Sequence, residues 1–380
     1  MDNHGVSRSD YAQSRTEEQK EKDRKKLEQY LALVSETNSK RSENDFSISS
    51  LELTSKVLKM NPEYYTMWNY RRQILLKTHL LSFDPSALED LDAVVEATAA
   101  HHGAVIKALK EEQEFTLPLL LVFPKCYWLW NHRLWTLEQA SVILSSDYAA
   151  RFWKKELELV GMMLTRDARN FHGWMYRRIL IREVEKLEKG SRAKGELEYT
   201  LKVVMGVGGM KNYSAWHQRS VLIPRLLNEE NRDGQQRMDA LEDELELIQK
   251  AITTDPDDQS LWFYHRFLVL ERGEGAIAPK MPRSARLGMM EQQIEELKEL
   301  LESHPEQRYI LKALVLYVPA LQALRKEPPS PDDEDEDDEE EEVDEAEENK
   351  QILEWLETLQ RVDPMRKGRY IDLAKRIREA

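Results

Sequence analysis

The side chains that could carry chemistry are sparse and poorly spaced for catalysis. One thiol is present, Cys126, which excludes an internal disulfide framework and a cysteine-based zinc site within the chain. His101 and His102 are adjacent, so on a helix they point to different sides and make a poor metal pair. No H-E-x-x-H and no G-x-x-x-x-G-K-[ST] occurs. Gly206-Val-Gly208-Gly209 lacks a third glycine and follows no strand pattern, so it is not a dinucleotide loop. Asp255 to Asp258 lacks the glycine and terminal glutamate of an EF-hand. No serine or cysteine stands in a nucleophile motif. A self-contained enzyme is not expected, and no metal is assigned to this chain.

The elements that would position any site are repeats. Five segments share a pattern: Tyr65-Thr-Met-Trp68-Asn-Tyr-Arg71, Tyr127-Trp-Leu-Trp130-Asn-His-Arg133, Phe171-His-Gly-Trp174-Met-Tyr-Arg177, Tyr213-Ser-Ala-Trp216-His-Gln-Arg219 and Gln259-Ser-Leu-Trp262-Phe-Tyr-His265-Arg266. The tryptophans are 62, 44, 42 and 46 residues apart. A period near 45 matches a two-helix repeat, and the longer first interval implies an insertion at 84–114. Spacing of three along a helix is expected to put aromatic, Trp and Arg on one face. Upstream helices carry apolar stripes such as Phe152-Leu157-Val160-Leu164 and Leu241-Leu245-Ile248-Ile252. Asn61-Pro62, Asp167 to Asn170, Gly208-Gly209 and Asp255-Pro256 mark the turns.

This gives an all-α, right-handed solenoid of helical hairpins. A charged helical segment covers 1–49, with the helix itself read over 16–34. The superhelix covers 50–325, with repeats at about 50–80, 115–140, 152–185, 196–228 and 241–272. Residues 289–324 add a degenerate helix pair. Residues 326–348 read as a disordered Pro/acidic linker, and 349–380 as one C-terminal helix. A Trp at the same place in every hairpin reads as a core plug between units. The Arg one turn later has an aromatic face, a carboxylate or a helix-end carbonyl as its possible partner.

The formal net charge is −15, yet residues 332–348 hold 15 carboxylates and no base, so the rest of the chain is close to neutral. A neutral body offers no basic footprint for nucleic acid. The acidic run repels itself and has almost nothing to bury. The longest apolar run, Leu117 to Phe123, is too short to span a bilayer. No apolar leader pattern opens the sequence. A soluble, cytoplasmic protein is expected.

The aromatic-x-x-Trp-x-x-Arg unit, repeated in register, resembles the repeat of protein prenyltransferase α subunits over about Ser50 to Phe267. The resemblance implies a crescent wrapped around a β subunit that holds zinc and the isoprenoid diphosphate. No cofactor is implied for this chain alone. It also implies that the α subunit lends polar residues near the diphosphate. Lys125, in Phe123-Pro-Lys125-Cys-Tyr127, matches the family's second-repeat lysine, and His172, in Asn170-Phe-His172-Gly-Trp174, its third-repeat histidine. Cys126 and Phe171 depart from the family's Asn and Tyr. A solvated lysine and a structural hydrogen bond are the plainer readings of Lys125 and His172. Tyr127, Arg169 and Lys211 are candidates for a diphosphate rim.

Two branches of the family compete. His4-Gly5, Thr16-Glu-Glu-Gln19, Leu51-Glu-Leu-Thr54 and Val362-Asp-Pro364-Met-Arg366 before Tyr370 resemble the α subunit of the type II enzyme, in a compact fungal-like form. That branch implies transfer of geranylgeranyl from geranylgeranyl diphosphate to Rab GTPases presented by an escort protein. The alternatives are the α subunit shared by farnesyltransferase and the type I geranylgeranyltransferase, and a non-enzymatic helical-repeat adaptor.

Overall fold

A computed structural model describes residues 16–81, 90–206, 208–328 and 344–379, and the regular structure among them is all helical. The chain divides into two compact units, Met1–Gly190 and Ser191–Ala380.

The first unit contains α1 (Glu17–Ser42), α2 (Ile48–Met60), α3 (Tyr65–Leu75), α4 (Leu91–Val122), α5 (Tyr127–Ile143), α6 (Ser146–Arg166) and α7 (Phe171–Glu188). Helix α1 starts at a capping box in which Thr16 and Gln19 satisfy each other's backbone N–H groups. It runs further than the 16–34 read from the sequence, yet only Thr37 along it is buried. The expected insertion at 84–114 lies partly outside the described residues. From Leu91 onward it is helix, continuous to Val122, so it lengthens the first helix of the second hairpin. Helices α2 and α3, α4 and α5, and α6 and α7 pack as hairpins, and α3, α5 and α7 touch in series.

The second unit contains α8 (Ala193–Val204), α9 (Tyr213–Glu229), α10 (Gly234–Thr254), α11 (Gln259–Leu270), α12 (Arg283–Ser303), α13 (Arg308–Arg325), α14 (Glu345–Val362) and α15 (Lys367–Glu379). Two sequence boundaries need correction here. The linker expected over 326–348 gives way to helix at Glu345. Asp344 caps α14, and three carboxylates fill its first turn, where the helix dipole favours negative charge. Glu348 also meets Arg325 at 2.9 Å, and Glu345 meets Lys326 at 3.0 Å. Residues 329–343 lie outside the described residues. The single helix expected over 349–380 is two, broken at Asp363-Pro364, because proline disfavours the α conformation of the residue before it.

The five repeat tryptophans are the core plugs the sequence suggested, each buried. Each indole N–H also donates to the carbonyl six residues earlier: Trp68 to Pro62, Trp130 to Pro124, Trp174 to Ala168, Trp216 to Met210 and Trp262 to Pro256, all at 2.7–3.0 Å. The ring thus packs against the following hairpin, Trp68 on His132 at 4.6 Å and Trp130 on Tyr176 at 5.0 Å, and ties down the turn that precedes its own helix. The aromatic residue three positions before the Trp does not share that face. Tyr65, Tyr127, Phe171 and Tyr213 stay about half exposed. A spacing of three drifts by roughly 60° per step on a helix of 3.6 residues per turn, enough to carry the first member out of the core.

The repeated arginines select one of their possible partners, a buried carboxylate on the next first helix. Arg71 meets Glu112 at 2.7 and 2.5 Å, and Arg133 meets Glu156 at 2.7 and 2.6 Å. Arg219 holds Glu244 the same way, with its Nε at 3.1 Å. Arg177 is buried at the equivalent place. A ring from the following second helix completes each glutamate: His132 on Glu112 at 2.9 Å, Tyr176 on Glu156 at 2.9 Å and Tyr264 on Glu244 at 2.6 Å. Full pairing is what makes the buried charges tolerable. In the fifth repeat the same job is done without charge. His265 sits between Gln293 at 3.0 Å and the Tyr317 hydroxyl at 2.9 Å. Burial pushes His265 down to about 4.

Candidate functional site

The turns before the Trp-bearing helices form a ladder, and that ladder positions the candidate residues. In the second and third repeats the residue four before the Trp reaches back to the preceding turn. The Cys126 thiol donates to the Pro62 carbonyl at 3.4 Å, and the Asn170 amide to the Pro124 carbonyl at 3.1 Å. In the second unit Gln307, before the Trp-less helix α13, makes the same kind of bond to the Pro256 carbonyl at 2.6 Å. Asn170 serves a second purpose: its Oδ1 accepts from the His172 N–H at 3.1 Å and caps α7. One buried side chain therefore fixes both the turn that carries Lys125 and the first residues of the helix that carries His172.

Lys125 is exposed in that turn. His172 is only 3% exposed, and its Nδ1 is buried with no hydrogen-bond partner. The Tyr127 ring meets the imidazole edge-on at 4.2 Å, and the Phe171 ring stacks beside it at 4.0 Å. Burial lowers the His172 pKa, Glu63 pulls part of the way back up, and the nearby Lys125 charge adds a lesser lowering. The geometry therefore holds a neutral imidazole with one idle nitrogen beside an exposed ammonium. Such a pair suits an anion: a donor that needs no deprotonation next to a fixed positive charge.

The other candidates are placed differently. Arg169 is exposed at the edge of the next turn, where Asp167 caps its backbone N–H at 3.2 Å. Lys211 lies in the second unit, with its ammonium against Asp255 at 2.6 Å. The thiol of Cys126 is buried, and burial pushes it up to about 11, which removes it as a nucleophile at neutral pH. No three His, Cys, Asp or Glu side chains stand together to hold a metal among the described residues. No helix among them is long and apolar enough to cross a membrane.

The protein prenyltransferase alpha subunit repeat family matches residues 49–78, 109–140, 153–184 and 241–272. A geranylgeranyl transferase type-2 subunit alpha from Schizosaccharomyces pombe is 33% identical over 98% of both chains. The chain belongs to the type-2 geranylgeranyl transferase α-subunit family. The Saccharomyces cerevisiae member is 34% identical over 70% of this chain and 72% of its own length. A chain of the solved Candida albicans protein geranylgeranyltransferase-I complexed with GGPP superposes with a TM-score of 0.59, covering 92% of this chain and 91% of its own. At 17% identity that likeness shows the fold alone. Membership in the type-2 branch favours that reading over the shared-subunit and adaptor alternatives.

The family repeat skips residues 196–228, but the structure does not. Trp216, Arg219 and Glu244 make the same contacts there as their counterparts elsewhere. Two kinds of residue escaped the sequence reading. The buried glutamates did, because the stripe through α6 was traced over Leu157, whereas Glu156 is the buried residue and Leu157 only half-buried. The positioning role of Asn170 also did. In each case a signal existed: carboxylates inside the first helices α4, α6 and α10 to answer the arginines of the second helices, and a polar residue four before three of the five tryptophans.

Proposed function

We propose that this chain acts as the α subunit of a cytoplasmic heterodimer that transfers geranylgeranyl from geranylgeranyl diphosphate to C-terminal cysteines of Rab GTPases presented by an escort protein. In this reading the β subunit holds zinc and the lipid. Lys125 and His172 face the diphosphate side of the reaction, with Tyr127 and Arg169 at the rim and Lys211 in a lesser part. The observation that carries the proposal is the idle Nδ1 of buried His172 beside Lys125, in a chain similar end to end to a type-2 α subunit.

The chemistry follows from charge. As the thiolate attacks the prenyl carbon, the carbon–oxygen bond breaks and negative charge grows on the departing diphosphate. The Lys125 ammonium favours that charge by Coulomb attraction, and His172 favours it by donating from its imidazole N–H. Both interactions strengthen toward the transition state, which is where they raise turnover. Half-exposed rings at Tyr65, Tyr127 and Phe171 in the first unit support a partner on that surface.

The test is co-expression with a β subunit, followed by transfer of labelled geranylgeranyl to a Rab with its escort protein. A stable 1:1 complex that transfers lipid, and loses turnover on Lys125→Ala, is the expected result. Failure to form a complex, or transfer by β without this chain, would overturn the reading.

A further inference from the structure

The second unit contains a pocket that the prenyl-transfer reading does not use. It has a volume of about 300 Å³ and lies among α11, α13, the end of α14 and the start of α15. That volume sits at the lower end of the roughly 300–1,000 Å³ range of small-ligand sites. Its apolar lining includes Trp262, Phe263, Tyr309, Leu316, Leu359 and Leu373. The Trp262 and Tyr309 rings lie nearly parallel, 6.5 Å apart and inclined by 16°. Phe263 and Leu316 are substantially exposed there.

Four cations border this surface: Arg266, Lys312, Arg366 and Arg369. Asp363 accounts for two of them, meeting Lys312 at 2.5 Å and Arg366 at 3.1 Å, and it also accepts from the Tyr370 hydroxyl at 2.6 Å. Arg266 and Arg369 have no ion-pair partner among the described residues, and both are exposed. The walls come mostly from within helices, so their backbone N–H and C=O groups are already used. A peptide main chain would find little to bond there. A ligand with one anionic end and a plain apolar body needs nothing more than what is present.

From this arrangement we infer that the pocket binds a single-chain anionic amphiphile, with its apolar chain on the Trp262–Tyr309 side and its phosphate or carboxylate head against Arg266 and Arg369. The site shares no residue with Lys125 and His172 and does not depend on the role assigned to them.

The test is isothermal titration calorimetry of the full chain with dodecyl phosphate and with dodecanoate, each below its micelle concentration. Dodecyltrimethylammonium and inorganic phosphate serve as controls. Geranylgeranyl diphosphate as competitor separates a prenyl source from an acyl one. The expected result is saturable binding of the anionic chains, no binding of the cationic chain, and negligible binding of phosphate alone. The Arg266→Ala/Arg369→Ala double variant should bind about tenfold or more weakly. Both arginines are exposed, so the variant should melt with the parent. Leu316→Glu, which sets a carboxylate in the pocket mouth, should weaken binding as well. Equal binding of the cationic chain, unchanged affinity in the double variant, attachment only to anionic vesicles, or tighter competition by an acidic aromatic peptide would each overturn the inference.

Discussion

Replacing Glu156 by Gln keeps the side-chain volume and removes one buried charge. The carboxylate accepts two bonds from Arg133, at 2.7 and 2.6 Å, and one from Tyr176, at 2.9 Å. After the change one amide oxygen still accepts from Arg133 while the NH2 confronts its other donor, and the guanidinium otherwise keeps the Gln113 carbonyl at 2.8 Å and the Thr116 hydroxyl at 2.7 Å. Breaking a buried pair from one side leaves an uncompensated charge and costs about 3–5 kcal/mol. The fifth repeat supplies the control, because His265 and Gln293 do the same job there without charge. The double variant Arg133→His/Glu156→Gln should therefore recover about 1–2 kcal/mol of the loss through coupling between neighbours. Full recovery is not expected. Counted from the ladder residues Asn170 and Gln307, Leu180 occupies the position of Tyr317 and has no hydroxyl to offer the new imidazole. Urea denaturation of the full chain, followed by circular dichroism, measures all three proteins. A Glu156→Gln loss below about 1 kcal/mol, or a double variant no more stable than the single, would refute the view that charge neutrality is what this position requires.

Acid should destabilise the chain early. Burial holds both His132 and His265 down to about 4, against roughly 6.5 when unfolded. As pH falls from 6.5 toward 4 the unfolded chain binds protons that the folded chain refuses, so each imidazole withdraws up to ~3 kcal/mol. Below that, Glu112, held down to about 2, continues the loss. Denaturation at stepped pH should show stability flat above neutrality and falling below it, with a shallower slope in His265→Gln. Lys125→Ala in the reconstituted heterodimer should lower kcat by about 10- to 100-fold with little change in protein-substrate KM. Single-turnover transfer at saturating lipid checks it, and Lys211→Ala should do less because Asp255 already holds that ammonium. Cys126→Asn should add about 0.5–1.5 kcal/mol by replacing a weak thiol donor to Pro62 with an amide. In the unmodified chain the thiol should resist aromatic disulfide reagents until denaturant is added.

Much of the fold was legible because tryptophan and arginine are large and recur at one period. What stayed hidden was what the repeats bury besides apolar groups. A search for apolar stripes passes over Glu112, Glu156 and Glu244, since burial of a carboxylate makes sense only once its arginine is seen on the preceding hairpin. The start of α14 at Glu345 was hidden for a related reason. A run of carboxylates reads as self-repelling until its last members meet a helix N-terminus and the side chains of Gln322, Arg325 and Lys326. The candidate site was legible only through resemblance, because nothing in the spacing of Lys125 and His172 marks them as neighbours. Asn170, whose two bonds bring their segments together, reads in sequence as an ordinary turn residue.

The repeats also separate scaffold from function. Two residues before the Trp, the chain places Thr66, Trp128, His172, Ser214 and Ser260. A hydroxyl suffices at three of these positions, and at Ser260 it reaches the Lys211 carbonyl at 3.4 Å. If the hairpin needed a histidine in the third repeat, its nitrogen would be expected to bond something in the hairpin. Nδ1 bonds nothing, and burying an unpaired polar atom costs about 1–3 kcal/mol. The scaffold therefore gains no hydrogen bond from that nitrogen and bears a cost for it. The neighbouring position, five before the Trp, points the same way. It holds Glu63, Lys125, Arg169, Lys211 and Asp257, acidic in the outer repeats and basic in the inner three. None of these five is buried, so packing does not dictate the sign. A cost at one position and a choice of sign at the next, both centred on the second and third turns, are what a site for an anion would leave in an otherwise repetitive framework.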